Sequence, residues 1–409
     1  MTSAADGHDR RGLARSLTLA HAVLYGLGVT IGAGIYVLIG VAAARSGMLA
    51  PLAFLISALA LAPVAAVFAE LGTRLPVSAS EAAYVEAAFG RRYLTLGVGL
   101  LVIATAIISA ATISSGSAGY IAAFVDLPRV IIVAGVILLT GAIAGLAINQ
   151  SVAIAGLMTV IEIGGLLVVI AAGVLGGEGI VTRLAELPPA FAAPGALAGL
   201  AGTSLIAVFA FIGFEHLVNV AEEMRQPSRT LPRALFLTLA GATLLYALVA
   251  WVAVTAVPPD ELARSPAPLA LVFQRLTGMP LGVLGVVAIV ATLNGIVVHM
   301  ILISRVAYGM ARQGNLPSAL GRVSGVTQTP VLATATSVAV ILALALAVPL
   351  SGLADLASRG TLLVFALVSA ALIALKRRGP PPAGAFVCPV WVALAGLVGS
   401  LALLAWAMF

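Results

Sequence analysis

Apolar residues along this chain fall into long unbroken runs separated by short polar segments. Runs of about 20 residues, enough to cross a hydrocarbon core of about 30 Å as helix, lie near 17–43, 49–70, 94–124, 130–148, 152–175, 195–219, 234–257, 281–303, 330–350, 353–375 and 386–409. Barrel strands would instead show short alternating segments. The pattern predicts an all-α polytopic membrane protein of about eleven transmembrane helices. The first run is long and Gly-rich, which predicts a broken helix.

Composition closes the other routes. Hydrophobic residues make up 62% of the 409, charged residues only 9%, and the mean hydropathy is +1.17. Soluble domains carry about 25% charged residues, so a water-soluble globule is excluded. In lipid every backbone polar group must be satisfied internally, which leaves helices. Cys388 is the single cysteine and the four histidines, His8, His21, His216 and His299, are scattered. Neither an internal disulfide nor a thiolate or HExxH metal centre is expected. No cofactor is expected either.

The formal charge of +6 raises the question of a nucleic-acid partner. The basic residues sit in short clusters between apolar runs, with no Lys/Arg stripe interleaved with aromatics, so none is expected. Arg10, Arg11 and Arg15 precede the first run. A signal peptide would explain them, but 17–43 exceeds the usual apolar core of one, so the run reads as the first membrane helix. With residues 1–16 in the cytoplasm, fifteen of the twenty-one Lys and Arg residues fall on the inner side. The positive-inside rule then puts the C-terminus, Phe409, outside.

Two runs carry the informative chemistry. In the first, Gly28-Val-Thr-Ile-Gly-Ala-Gly-Ile-Tyr36 places three glycines in nine residues at mid-membrane depth, costly for a helix. Close helix packing through Gly28 and Gly32 is one reading. An unwound break whose free amides face a cavity is the other. In the sixth, Phe209-Ala-Phe-Ile-Gly-Phe-Glu215 puts an acid in apolar surroundings, where acids face protein or water. A breaker-rich first run and an acid-bearing sixth run are marks of five-plus-five inverted repeats. Glu162, within Thr159-Val-Ile-Glu-Ile-Gly-Gly165, is a further lone carboxylate. It must be paired, bound to an ion, or protonated.

These segments resemble the amino acid–polyamine–organocation permeases, which share the LeuT-type fold. The resemblance covers most of the chain. It rests on Ile31-Gly-Ala-Gly-Ile-Tyr36, on Glu70-Leu-Gly-Thr-Arg-Leu-Pro76 with Ala82-Ala-Tyr84 and Phe89-Gly90, on Phe209–Glu215, and on Ala221–Arg233. Asn294, Ser304–Pro317, and Leu375-Lys-Arg-Arg378 with Phe386 and Pro389 continue it. The Gly-Ala-Gly-Ile-Tyr form is similar to the cationic amino-acid transporter branch. The chain departs from the family at Ser78-Ala-Ser-Glu81, where a glycine pair is usual, in having eleven rather than twelve helices, and at Glu162, where many relatives carry Lys.

The resemblance implies a first repeat over 17–175 (helices one to five), a second over 195–375 (helices six to ten), and an additional helix over 386–409. It implies a secondary active transporter of an amino acid or amine in a bacterial inner membrane. A substrate carboxylate would meet the amides of Ala33, Gly34 and Ile35 in the Ile31–Ile35 segment that includes Gly32. Its ammonium would meet carbonyls of Phe209, Ala210 and Ile212, with Phe209 as an aromatic gate; for Phe209 and Phe211 the competing reading is ordinary packing. Glu162, Glu215 and Asn294 are the candidates for coupling and gating. At Glu162 a proton is favoured over Na⁺, which prefers several oxygen ligands. A passive facilitator or channel, or an exchanger without ion coupling, is the competing function. An enzyme is not expected, since no metal or nucleophile constellation is present.

Overall fold

In the computed structural model the described residues are 17–31, 34–75, 80–145, 148–176, 182–312, 314–324 and 329–406. The expected inner segment 1–16, Gly32, Ala33, Ser78, Ala79 and the C-terminal Phe409 lie outside them. Sixteen α-helices are described: α1 (Leu19–Ile31), α2 (Gly34–Ser46), α3 (Ala50–Arg74), α4 (Ser80–Phe89), α5 (Arg92–Ile121), α6 (Arg129–Ala144), α7 (Ile148–Gly176) and α8 (Leu187–Ala192). The remainder are α9 (Ala196–Phe211), α10 (Pro227–Ala256), α11 (Pro259–Arg264), α12 (Pro268–Thr277), α13 (Gly282–Arg312), α14 (Val331–Ala347), α15 (Leu350–Arg378) and α16 (Val390–Trp406).

Each of the eleven apolar runs carries helix. Seven segments are long and apolar enough to cross a membrane, and four shorter helices, α1, α6, α14 and α16, are equally apolar. The protein is a multi-pass α-helical membrane protein. Its outward surface agrees, because large apolar side chains such as Leu59 (74% exposed), Leu175 (87%) and Trp391 (67%) point away from the bundle. In water this would be a liability; against acyl chains it is the matching surface.

The first and sixth runs depart from continuous helix. The first is split into α1 and α2. The sixth is α-helical only to Phe211 and resumes as a 3₁₀ segment, Phe214–Glu223. Gly213 lies between them with φ of 128°, a conformation for which a side chain is costly. The seventh and eighth runs extend further than hydropathy predicts, to Pro227 and Arg312 respectively. Polar residues continue these helices where they leave the hydrocarbon. Helix α4 and the short helices α8, α11 and α12 fall in segments that hydropathy reads as connections.

Packing follows from small residues and aromatic anchors. Helix α5 packs along α13 and α15, α3 along α10, and α1 against α10 and α7, while α2 contacts α9. Tyr36, Tyr120 and Tyr246 are fully buried, and each hydroxyl reaches a backbone carbonyl, as buried phenols require. Tyr120 donates to the Tyr36 carbonyl (2.6 Å) and Tyr36 to that of Glu162 (2.8 Å). These bonds tie α2 to α5 and α7.

Candidate functional site

The interruptions in the first and sixth runs face each other. A Cβ at Gly34 would stand 2.6 Å from the Ala210 Cα, and one at Gly213 would stand 2.7 Å from the Val29 carbonyl oxygen. The start of α2 thus lies against the end of α9, and the end of α1 against Gly213. Side chains would force these backbones apart, which is why glycines occupy both positions. The Tyr246 hydroxyl, on α10, lies 2.7 Å from the Thr30 carbonyl and 2.8 Å from that of Ala210. Its single proton serves one at a time. Each carbonyl lies where its helix ends and has lost its usual amide partner.

A narrow cavity opens beside this crossing, lined by Val29, Thr30, Gly34, Ser109, Ile113, Phe209, Ile212, Gly295 and His299. Ser109, Ile212 and His299 also line a second cavity, with Glu81, Glu215 and His216 among its walls.

Gly34, Phe209 and Ile212 therefore line one cavity. Ile31, Ile35, Ala210 and Phe211 are fully buried and are not among its described lining residues. Phe211 packs its ring 5.1 Å from that of Tyr246, so ordinary packing accounts for it. Gly32 and Ala33 lie outside the described residues.

Glu162 and Asn294 form a pair. Asn294, on α13, donates from Nδ2 to Glu162 Oε1 over 2.8 Å. Both side chains are buried, and Glu162 Oε2 and Asn294 Oδ1 have no hydrogen-bond partner. The partner of Glu162 is an amide rather than a cation, so the pair links α7 to α13 without neutralising a charge.

Glu215 caps the 3₁₀ segment. Its Oε2 accepts from the Gly213 amide (2.8 Å), satisfying a donor that the break leaves free. Its Oε1 lies 3.9 Å from His216 Nε2, and the His216 ring sits 5.9 Å from that of His299. Two histidines that look scattered in sequence are thus neighbours in a buried group containing Glu215. Glu81, 6% exposed, lines the same cavity.

Sequence reasoning also passed over Tyr246, Ser109 and the buried character of Glu70. Tyr246 stands inside an apolar run, where a lone tyrosine is the available signal. Glu70 accepts from Arg74 Nε (2.9 Å), from Lys376 Nζ (2.7 Å) and from the Cys388 amide (2.8 Å). The Glu70–Arg74 and Lys376–Cys388 segments, far apart in sequence, meet at one end of α3 and α15.

A polytopic helical bundle with two interrupted helices crossing at a buried cavity is the architecture of a membrane transporter. The chain belongs to the amino acid permease family, whose profile matches residues 17–409, within the amino acid–polyamine–organocation superfamily. It is similar to the branched-chain amino acid permease BcaP of Bacillus subtilis, 28% identical over 95% of this chain and 86% of that protein. It is similar to the vacuolar cationic amino acid transporter 2 of Arabidopsis thaliana, 32% identical over 90% of this chain and 60% of that protein, which is therefore considerably longer. The methylthioribose transporter of Bacillus subtilis is 26% identical over 93% of this chain. These are permeases and transporters, and the chain is a transporter rather than an enzyme.

Proposed function

We propose that the protein is a secondary active transporter of amino acids that works by alternating access and is coupled to protons. The observation that carries this reading is the crossing of the two breaks, Gly34 on Ala210 and Gly213 on Val29, beside a cavity bordered by Gly34, Phe209 and Ile212. Helix ends there leave amides at the start of α2 and carbonyls at the end of α9, the groups that suit a carboxylate and an ammonium. The substrate carboxylate binds the amides of Ala33, Gly34 and Ile35. Its ammonium meets the carbonyls of Phe209 and Ile212, and that of Ala210 when Tyr246 turns its proton to Thr30.

The equivalent placing of the breaks, in the first span of each half, supports inverted repeats over 17–175 and 195–375 with an added helix over 386–409. The setting is a bacterial inner membrane, with the N-terminus inside and Phe409 outside. Rocking of one bundle against the other opens the cavity to each side in turn.

For coupling, a proton on Glu162 fits better than Na⁺. Oε1 already accepts a hydrogen bond from an amide N–H, which a cation at that oxygen would oppose. Protonation at Oε2 neutralises the charge that burial makes costly. Glu215, at the break itself, is placed to gate.

The test is accumulation of labelled amino acid by proteoliposomes under an imposed pH gradient. Uptake above the external concentration, abolished by a protonophore, is expected. Equilibration to the external level, unaffected by the protonophore, would favour the passive facilitator.

A further inference from the structure

The wall shared by the two cavities holds two buried polar atoms that this scheme leaves without a task. His299 lies one turn along α13 from Gly295, is 4% exposed, and has Nδ1 2.8 Å from the Gly295 carbonyl oxygen. A carbonyl only accepts, so Nδ1 carries the hydrogen in the tautomer this bond selects. The neutral ring then presents a bare lone pair at Nε2. That nitrogen is buried and has no hydrogen-bond partner. Ser109, on α5 and 1% exposed, has an equally unpartnered Oγ. Both residues line both cavities, one of which contains Gly34 and Phe209.

We propose that His299 Nε2 and Ser109 Oγ form the side-chain subsite of the substrate cavity, selecting amino acids whose side chains donate a hydrogen bond over aliphatic ones of equal size. The proposal rests on the amino-acid transport reading above. The neighbouring Ile113, Phe209 and Ile212 supply apolar walls that accept methylenes and discriminate only by size. His299 adds a chemical criterion. A hydroxyl, amide or ammonium on the substrate pairs with Nε2, whereas a methyl group leaves a buried acceptor unmet. A site built around such a bond discriminates against the analogue lacking it, because the buried acceptor is then left unpaired. Ser109 adjusts to the ligand, since its hydroxyl both donates and accepts. The His216 ring packs beside His299, centroids 5.9 Å apart and planes at 71°.

The experiment uses the purified full-length protein and two matched pairs, threonine with valine and glutamine with methionine. Dissociation constants come from ligand-dependent thermal stabilisation. The donor-bearing member should bind about 10-fold more tightly in at least one pair. His299→Leu should abolish or invert that preference, and Ser109→Ala should reduce it. Equal affinities within both wild-type pairs would overturn the subsite while leaving amino-acid transport standing. So would a preference that persists undiminished in His299→Leu. Because the wild-type ratios and Ser109→Ala need no folded His299→Leu protein, the outcome stands even if that variant is lost. If none of the twenty common amino acids stabilises the wild type, the transport reading falls and the subsite with it.

Discussion

Glu70 and Glu162 are both carboxylates with no exposed surface, each on an apolar helix, yet their surroundings are opposite. Both oxygens of Glu70 are engaged, by Arg74, by Lys376 and by the Cys388 amide. The Phe386 amide adds a bond to Thr73 beside it (3.0 Å). Glu162 has one hydrogen bond to one oxygen and none to the other. Burial alone therefore does not distinguish these two acids; the completeness of the partner set does. A fully paired cluster has nothing to gain from a change of state. A half-paired one has an open position that a proton can fill.

This contrast has measurable edges. The largest effect is expected at the paired end. Glu70→Ala would leave Arg74 and Lys376, whose side chains are 8% and 9% exposed, without their anion, at a cost of about 3–5 kcal/mol. A steep fall in the melting temperature of the detergent-purified protein is the readout. A loss no greater than that of Glu261→Ala, which breaks the exposed Arg275 pair, would erase the distinction.

An intermediate effect belongs to the crossing. Gly34→Ala inserts a methyl against the Ala210 backbone, an overpacking worth about 1–3 kcal/mol in this conformation, and Gly34→Leu should abolish substrate binding with expression intact. Normal transport by Gly34→Leu would remove the crossing from the substrate site. The smallest change in stability is expected at the unpaired end. Glu162→Gln keeps an acceptor for Asn294 and removes the charge, so it should shift stability by no more than about 1 kcal/mol. It should lose proton-driven accumulation while retaining substrate exchange across vesicles. Full accumulation at both acidic and neutral pH would make Glu162 a structural acid after all.

What could be read beforehand follows the same division. The eleven runs, the interrupted first helix, and the acids Glu162 and Glu215 were legible, because hydrocarbon thickness, the cost of glycines in a helix and the cost of charge in lipid act on local sequence; the break in the sixth helix was implied only by the family resemblance. The Gly-rich segment around Gly34 could be singled out from its neighbours, but a part in substrate binding was implied only by the family resemblance. The meeting of His216 with His299, the reach of Tyr246 to Thr30 and Ala210, and the engagement of Asn294 by Glu162 were not legible as contacts. Each joins residues separated by tens to more than a hundred positions, and helix periodicity says nothing about which faces turn toward each other. The 3₁₀ form of Phe214–Glu223 was hidden for a similar reason: it depends on Gly213 lying against Val29, a tertiary contact. Polar helix extensions such as 304–312 escaped a hydropathy reading because they leave the membrane without ending the helix.

The Glu70 cluster also bears on how the chain is made. Lys376 and Cys388 follow Glu70 by 306 and 318 residues, so at about 5–20 residues per second they emerge on the order of half a minute after it. Until then the carboxylate has only Arg74, four residues on in the same helix. The lock closes only once Cys388 has been made. A chain lacking the tenth and eleventh spans would thus leave Glu70 with Arg74 as its one partner from this cluster, an ionic site half assembled.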